Sequence, residues 1–273
     1  MSMRQIRNLF LIALAVLFGP AAFPAQGAVT PAGALPHFAT GGGWRTVWIL
    51  VNSSSNPSAA VQLNFIGSDG PDGTPGTPLT IPLADGITGQ ALAPASTYSV
   101  TIRPFGLVAL ESTSSDPTET TGWVQVSTDS STTTVLERFD YTSLPANCGV
   151  NLQRGGTYPQ ISATATGYML PFNEAEGDFT AIAIANVTNS TINVTVTTRN
   201  FLGTTKGTHT LTLAPQEHRQ FLLASRYTET AGVLGTVEFY AGGINQIAVM
   251  GLSFNGINDA FTSELSIPTT AAQ

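Results

Sequence analysis

Ile192-Asn193-Val194-Thr195-Val196 alternates apolar and polar residues with a period of two. The same beat returns at Val61-Gln62-Leu63-Asn64-Phe65, Val237-Glu238-Phe239 and Phe261-Thr262-Ser263-Glu264-Leu265. Such alternation puts one face of a strand on a core and the other in solvent. Val47-Trp48-Ile49-Leu50-Val51 and Ile247-Ala248-Val249-Met250-Gly251-Leu252 are apolar at every position, the pattern of central strands covered on both faces. Turn residues punctuate these runs, at Gly67-Ser68-Asp69-Gly70-Pro71-Asp72-Gly73, Asp85-Gly86 and Gly242-Gly243. Only Leu222-Leu223-Ala224-Ser225-Arg226-Tyr227 reads as a helical turn beyond the N-terminal segment. Many short strands at this spacing predict an all-β chain, as sandwich or barrel.

Internal repetition sets the domain count. Leu35-Pro36 is echoed by Leu170-Pro171, Val51-Asn52 by Ala185-Asn186, and Asn64-Phe65-Ile66-Gly67 by Asn200-Phe201-Leu202-Gly203. Leu92-Ala93-Pro94 matches Leu213-Ala214-Pro215, Gly122-Trp123-Val124 matches Gly235-Thr236-Val237, and Phe139 matches Phe254. Landmarks in one order predict two antiparallel β-sandwiches, at residues 34–145 and 168–268. Between them, residues 146–167 read as a linker long enough to add an edge strand.

Of the 273 residues only 10% are charged, 10 basic against 17 acidic, while 42% are hydrophobic. Disorder needs the reverse balance, so the bulk of the chain folds. A net charge of −7 offers no basic footprint for nucleic acid and repels anionic lipid. Arg4 and Arg7, the apolar run from Leu9 to Phe18 and the small residues Ala25, Gly27 and Ala28 follow the order of a secretory signal peptide over residues 1–28. The apolar run falls short of the ~20 residues a spanning helix needs. The expected product is a secreted protein, extracellular or periplasmic, with no membrane insertion. The single cysteine, Cys148, has no partner for an intrachain disulfide and reads as a half-buried thiol.

Gly41-Gly42-Gly43-Trp44-Arg45-Thr46, then Leu50-Val51-Asn52 and Leu63-Asn64-Phe65, resembles a repeat of uncharacterised secreted bacterial β-sandwich proteins. The second copy follows the pattern through Leu170-Pro171-Phe172, Ala183-Ile184-Ala185-Asn186 and Gly251-Leu252-Ser253-Phe254-Asn255. The resemblance implies immunoglobulin-like sandwiches serving as extracellular modules. It assigns no activity and no functional residues.

Chemistry-bearing motifs are sparse. His37, His209 and His218 stand at no metal-ligand spacing and read as solvent-facing polar positions. The G-x-S-x-G elbow is absent, and a hydrolase is the remotest reading. Asp69 and Asp72 in one loop, and Glu174, Glu176 and Asp178 in another, are the candidate calcium ligands, since Ca²⁺ takes 6–8 oxygens. Both loops read first as solvated turns. His37, Trp44 and Arg45 are the candidate ligand surface, with an exposed Trp44 suited to stacking on a sugar. Trp48 and Trp123 read as core residues, and the sequons at Asn52, Asn186, Asn189 and Asn193 carry no weight in a Ser/Thr-rich chain. The expected function is a non-catalytic module for adhesion or for association with a cell-surface or matrix component. Its alternative is a carbohydrate-binding module, and exposed edge strands also allow self-association.

Overall fold

The computed structural model describes residues 28–68, 76–143, 152–159, 161–162, 164–256 and 260–270. The segment up to residue 27 that reads as a signal peptide, Asp69, Asp72 and Cys148 lie outside the described residues. The described residues are all-β, with antiparallel sheets throughout, a helical turn at Leu223–Arg226 where the sequence suggests one and a 3-10 turn at Thr228–Thr230 after it.

The first half begins with β1 (Thr30–Thr40), β2 (Trp44–Asn52) and β3 (Ala59–Gly67), followed by β4 (Ile81–Asp85), β5 (Ala91–Ala95) and β6 (Thr97–Ile102). Then come β7 (Leu107–Ser112), β8 (Thr120–Thr128), β9 (Thr133–Ser143), β10 (Leu152–Pro159) and β11 (Ile161–Ser162). They form two sheets, β11-β1-β8-β3-β6 and β10-β9-β2-β7-β4-β5. The segment expected to link the halves therefore supplies β10 along β9 and β11 along β1.

The second half comprises β12 (Gly167–Asn173), β13 (Phe179–Asn186), β14 (Ile192–Asn200), β15 (Thr205–Leu213) and β16 (His218–Leu222). It ends with β17 (Leu234–Tyr240), β18 (Ile247–Phe254), β19 (Phe261–Glu264) and β20 (Ile267–Thr269). Its sheets run β15-β14-β17-β12-β20 and β16-β13-β18-β19. Apart from the β4–β5 hairpin, each strand of the first half has a counterpart in the same sheet position of the second.

Side-chain roles repeat with strand order and explain several landmarks. Asn52 and Asn186 are fully buried at the ends of β2 and β13. The Asn52 amide donates to the Pro57 and Ile102 carbonyls, and its oxygen accepts from the Ser54 N–H and the Thr132 hydroxyl. Asn186 likewise donates to the Ser190 and Ala214 carbonyls and accepts from the Thr188 N–H. Each asparagine pins a strand end to two neighbouring loops, satisfying backbone groups that have no ladder partner. The Thr46 and Thr180 hydroxyls do the same where the chain first crosses from one sheet to the other in each half, on Ala39 and Asn173. A Cβ at Gly122 would strike the Ile66 carbonyl and the Phe38 ring, and one at Gly235 the Arg199 carbonyl and the Phe172 ring.

Three sequence matches are misplaced. Leu92 lies on β5, which has no counterpart, whereas Leu213 ends β15, the counterpart of β6; and Phe139 stands opposite Thr46 where Ser253, not Phe254, stands opposite the equivalent Thr180. The third is Phe65. Phe65 pairs with Val124, which corresponds to Val237, and the residue opposite Val237 on β14 is Thr198, not Phe201. Phe65 and Thr198 are both fully buried, whereas Phe201 is 71% exposed in the turn beyond β14. The Asn-Phe dipeptides coincide in sequence alone.

In each half the two sheets pack face to face. Leu35, Phe38, Val124, Leu63 and Phe65 meet Trp48, Leu50, Leu83, Leu110 and Val135 in the first core. Trp48 is fully buried as expected, and its indole N–H donates to Glu137 Oε1 at 2.8 Å. The other Glu137 oxygen is buried with no hydrogen-bond partner, and burial raises the carboxyl well above its usual range. Burial thereby disfavours the ionised form of Glu137.

Replacing either buried asparagine, Asn52→Ala or Asn186→Ala, is expected to cost roughly 1–3 kcal/mol in denaturant unfolding, because loop groups lose their partners. The exposed Asn189→Ala is expected to stay within about 0.5 kcal/mol. The raised Glu137 carboxyl contributes stability that is complete below its unfolded value, near pH 4.5, and is lost as pH rises toward the folded value. Glu137→Gln is expected to remove that alkaline-side decline from a profile of melting midpoint against pH.

Candidate functional site

The polar groups that converge lie where the two halves meet. A register shift in β1 between Leu35 and Phe38 inserts an extra residue, so both of these side chains reach the core. His37, within the shift, points away from that core and crosses to the second half. Its Nδ1 lies 3.2 Å from Nε2 of His218 on β16, with the rings stacked at 18° and centroids 5.2 Å apart. The other His218 nitrogen, Nδ1, lies 2.5 Å from the Ser68 hydroxyl just past β3. Both imidazoles are buried, which corrects the reading of His37 and His218 as solvent-facing.

An apolar seal surrounds this contact. Burial lowers His37 to about 4, and burial together with the His37 ring drives His218 well below its usual value. Both rings are therefore neutral near pH 7, one supplying an N–H and the other a lone pair. Glu217, next to His218, is occupied elsewhere, accepting from the Arg219 guanidinium and the Ala214 N–H. Ala34, Ile66, Trp123 and Phe139 of the first half pack into the cluster of the second half. Trp123 is fully buried as expected, but between the halves, with its indole N–H donating to the Gln216 carbonyl at 3.0 Å. A cavity of about 40 Å³, room for a single water, lies between His37 and Ala183, Gln220, Met250 and Leu252.

The face that receives the first half is set by strand pairing. Ala181, Ala183 and Ala185 of β13 stand opposite Leu252, Met250 and Ala248 of β18, and opposite Leu222, Gln220 and His218 of β16. Ile182, Ile184 and Val249 occupy the reverse face and fill the second core. This double coverage is the reason β18 is apolar at every position from Ile247 to Leu252.

A serine on an imidazole has the residue types of an acyl-transfer relay. Here the rings are closed in by the two halves, and the hydrogen bonds tie residues 150 and 181 positions apart. No spacing in the sequence announces that contact, because three unrelated strands deliver it.

The other candidates are dispersed. Trp44 is half-buried, its ring centroid 4.7 Å from that of Tyr141 and 5.5 Å from that of Phe261 of the second half. Arg45 pairs with Glu111 at 3.2 Å and Asp140 at 2.6 Å on the outer face of β2. In the 174–178 turn, Glu174 accepts from the Thr180 N–H, and Asp178 accepts from the Asn173 and Asn255 amides. Two of those three acids thus close the turn, while Glu176 sits in left-handed backbone. Among the described residues no three His, Cys, Asp or Glu side chains gather in a metal-binding group. His209 bonds to Glu229 at 2.7 Å on the surface of the second half.

The connections after β1 and after β12 are not presented alike. The first, at Gly41–Gly43, lies by Trp44 and the second half, whereas the second borders an open groove of about 470 Å³. That groove is lined by Ala175, Asn200, Phe201, Lys206, Val233 and Leu234, with Phe201 and Leu234 exposed. Comparison of the chain with protein-family models, curated proteins and solved structures gives no match.

The buried histidine pair makes the junction acid-sensitive. Its lowered values mean that stability is fully present above the unfolded histidine value, about 6.5, and is lost as pH falls toward about 4. The melting midpoint is expected to drop over that interval, and a His37→Gln, His218→Gln double variant to lose less of it. A level midpoint in the parent protein would contradict a neutral, sealed pair.

Proposed function

We propose that the protein is a secreted, non-catalytic module of two tandem immunoglobulin-like β-sandwiches, acting in adhesion or in association with a cell-surface or matrix component. The observation that carries this reading is where chemistry-bearing side chains lie. His37, His218 and Trp123 are buried in the junction and Trp48 in the first core, while apolar side chains are exposed at strand ends. Rigid sheets presenting loops at their ends are a common basis for binding. The groove beside the 174–178 turn, walled by Phe201 and Leu234 with Lys206 at its rim, is the proposed contact surface. A sugar platform at Trp44 is less favoured, since stacking needs a free indole face and Tyr141 and Phe261 lie against this one.

The test is binding of the purified protein to cell envelopes, extracellular matrix and a glycan array, beside a Phe201→Ser, Leu202→Ser variant. Retention on a surface, reduced at least tenfold in the variant with an unchanged melting midpoint, is the expected result. Turnover of a substrate in a hydrolase panel, with no surface binding, would overturn the reading.

A further inference from the structure

We infer that the junction cavity beside His37 binds one monovalent soft metal ion of the copper(I) class, held between the His37 imidazole of the first half and the Met250 thioether of the second. The cavity has its cause in the strand register. Gln220, Ala183 and Met250 form one row across β16, β13 and β18, and Leu222, Ala181 and Leu252 form the next. Adjacent strands lie about 4.8 Å apart, so the long side chains of Gln220 and Met250 flank a gap over the short Ala183. His37, from β1, is the first half's contribution to the lining of the resulting space of about 40 Å³.

One ring nitrogen is left for a ligand. His37 is 7% exposed, and its Nδ1 is taken by His218 Nε2 at 3.2 Å. Its Nε2 has no hydrogen-bond partner. The polar side-chain atoms that are both sealed off and unsatisfied belong, among the described residues, to Thr40, Glu137, Glu238 and Thr269. His37 Nε2 is not one of them, so it keeps access to free space, and the cavity is the space this ring lines. The His218 contact holds the ring from its other nitrogen, as a hydrogen bond orients a metal-binding histidine from behind. Ser68 in turn holds His218, so the ring is positioned by a chain of two contacts.

The donor set selects the ion. Imidazole nitrogen and thioether sulfur are neutral donors suited to copper(I), whereas a thioether is only a weak hydrogen-bond acceptor for water. Calcium and magnesium take oxygen ligands, and no carboxylate lines the cavity. Zinc sites draw three or four ligands from Cys, His and carboxylates, which the described residues do not gather. A divalent ion would also carry two charges into an apolar pocket with nothing to neutralise them. A monovalent soft ion carries one and binds two donors in line. The net charge of −7 draws cations to the chain. Gln220 is exposed on β16, so it stands where the cavity meets solvent and offers its amide oxygen as a further donor. Because His37 and Met250 belong to different halves, the bound ion clamps the junction.

Silver(I), a redox-stable ion of the same class, tests this on the purified protein carrying Cys148→Ser, which removes the competing thiol. The expected result is one ion per chain by native mass spectrometry, a raised melting midpoint and a shifted Met250 methyl resonance. Copper(I), added without oxygen, is expected to compete for the same site. Met250→Leu, close to volume-conserving, and His37→Gln are each expected to weaken binding at least tenfold. Met169→Leu, on β12, is expected to leave it unaltered. A cavity that holds water only, with no silver bound by the Cys148→Ser protein, overturns the inference. So does binding that is indifferent to both Met250→Leu and His37→Gln.

Discussion

The structure depends on one sheet being dry on both sides. The sheet β16-β13-β18-β19 packs its isoleucines and Val249 inward against its own partner sheet. It turns three alanines, Met250 and Leu252 toward the first half. Small residues on β13 let that half approach closely, and the apolar contact removes water from both surfaces. Everything polar caught there must find a partner within the protein. His37 and His218 bond to each other, Ser68 bonds to His218, and the Trp123 N–H reaches the Gln216 carbonyl. An unpaired group in that setting costs far more than a made hydrogen bond returns, so these bonds fix the docking register as the apolar area drives it.

The same constraint accounts for the electrostatics. A chain with so few charges has little with which to compensate a buried ion: Glu217 and Glu238 are buried each against an arginine, and the groups buried without one, His37, His218 and Glu137, are pushed toward their neutral forms. The two imidazoles are pushed down and the Glu137 carboxyl up, each because burial disfavours the charged form. They act at opposite ends of the pH scale, narrowing the range of greatest stability from both sides. The charged clusters that do exist, around Arg45 and around Arg199, lie on outer sheet faces with their partners beside them.

Repetition without identity gives the halves different surfaces. The buried asparagine, the threonine at the first sheet-to-sheet crossing and the close-packed glycine recur because each solves a backbone problem at a strand end or crossing. Outer-face residues answer to whatever covers them, and they have diverged. Alanines on β13 correspond to valine and isoleucine on β2, and a buried tryptophan on β8 corresponds to a threonine on β17. The two halves therefore do not present one surface twice.

The all-β architecture, the strand positions and most of the core were legible in the sequence, because period-two alternation and turn residues are local properties of the chain. So was the recurrence of strand-end landmarks, although the Phe201 match failed where chance similarity fell in a turn. The candidate site was not legible. Sequence placed His37, His218 and Trp44 on the surface, as isolated polar or aromatic residues in strands usually are, and it had no means of pairing Ser68 with a ring 150 positions away. The doubly apolar run at Ile247–Leu252 announced that something covers its second face. Only the docking of one half on the other decided what that was, because the identity of a covering surface is a property of distant segments brought together and leaves no local periodicity to read.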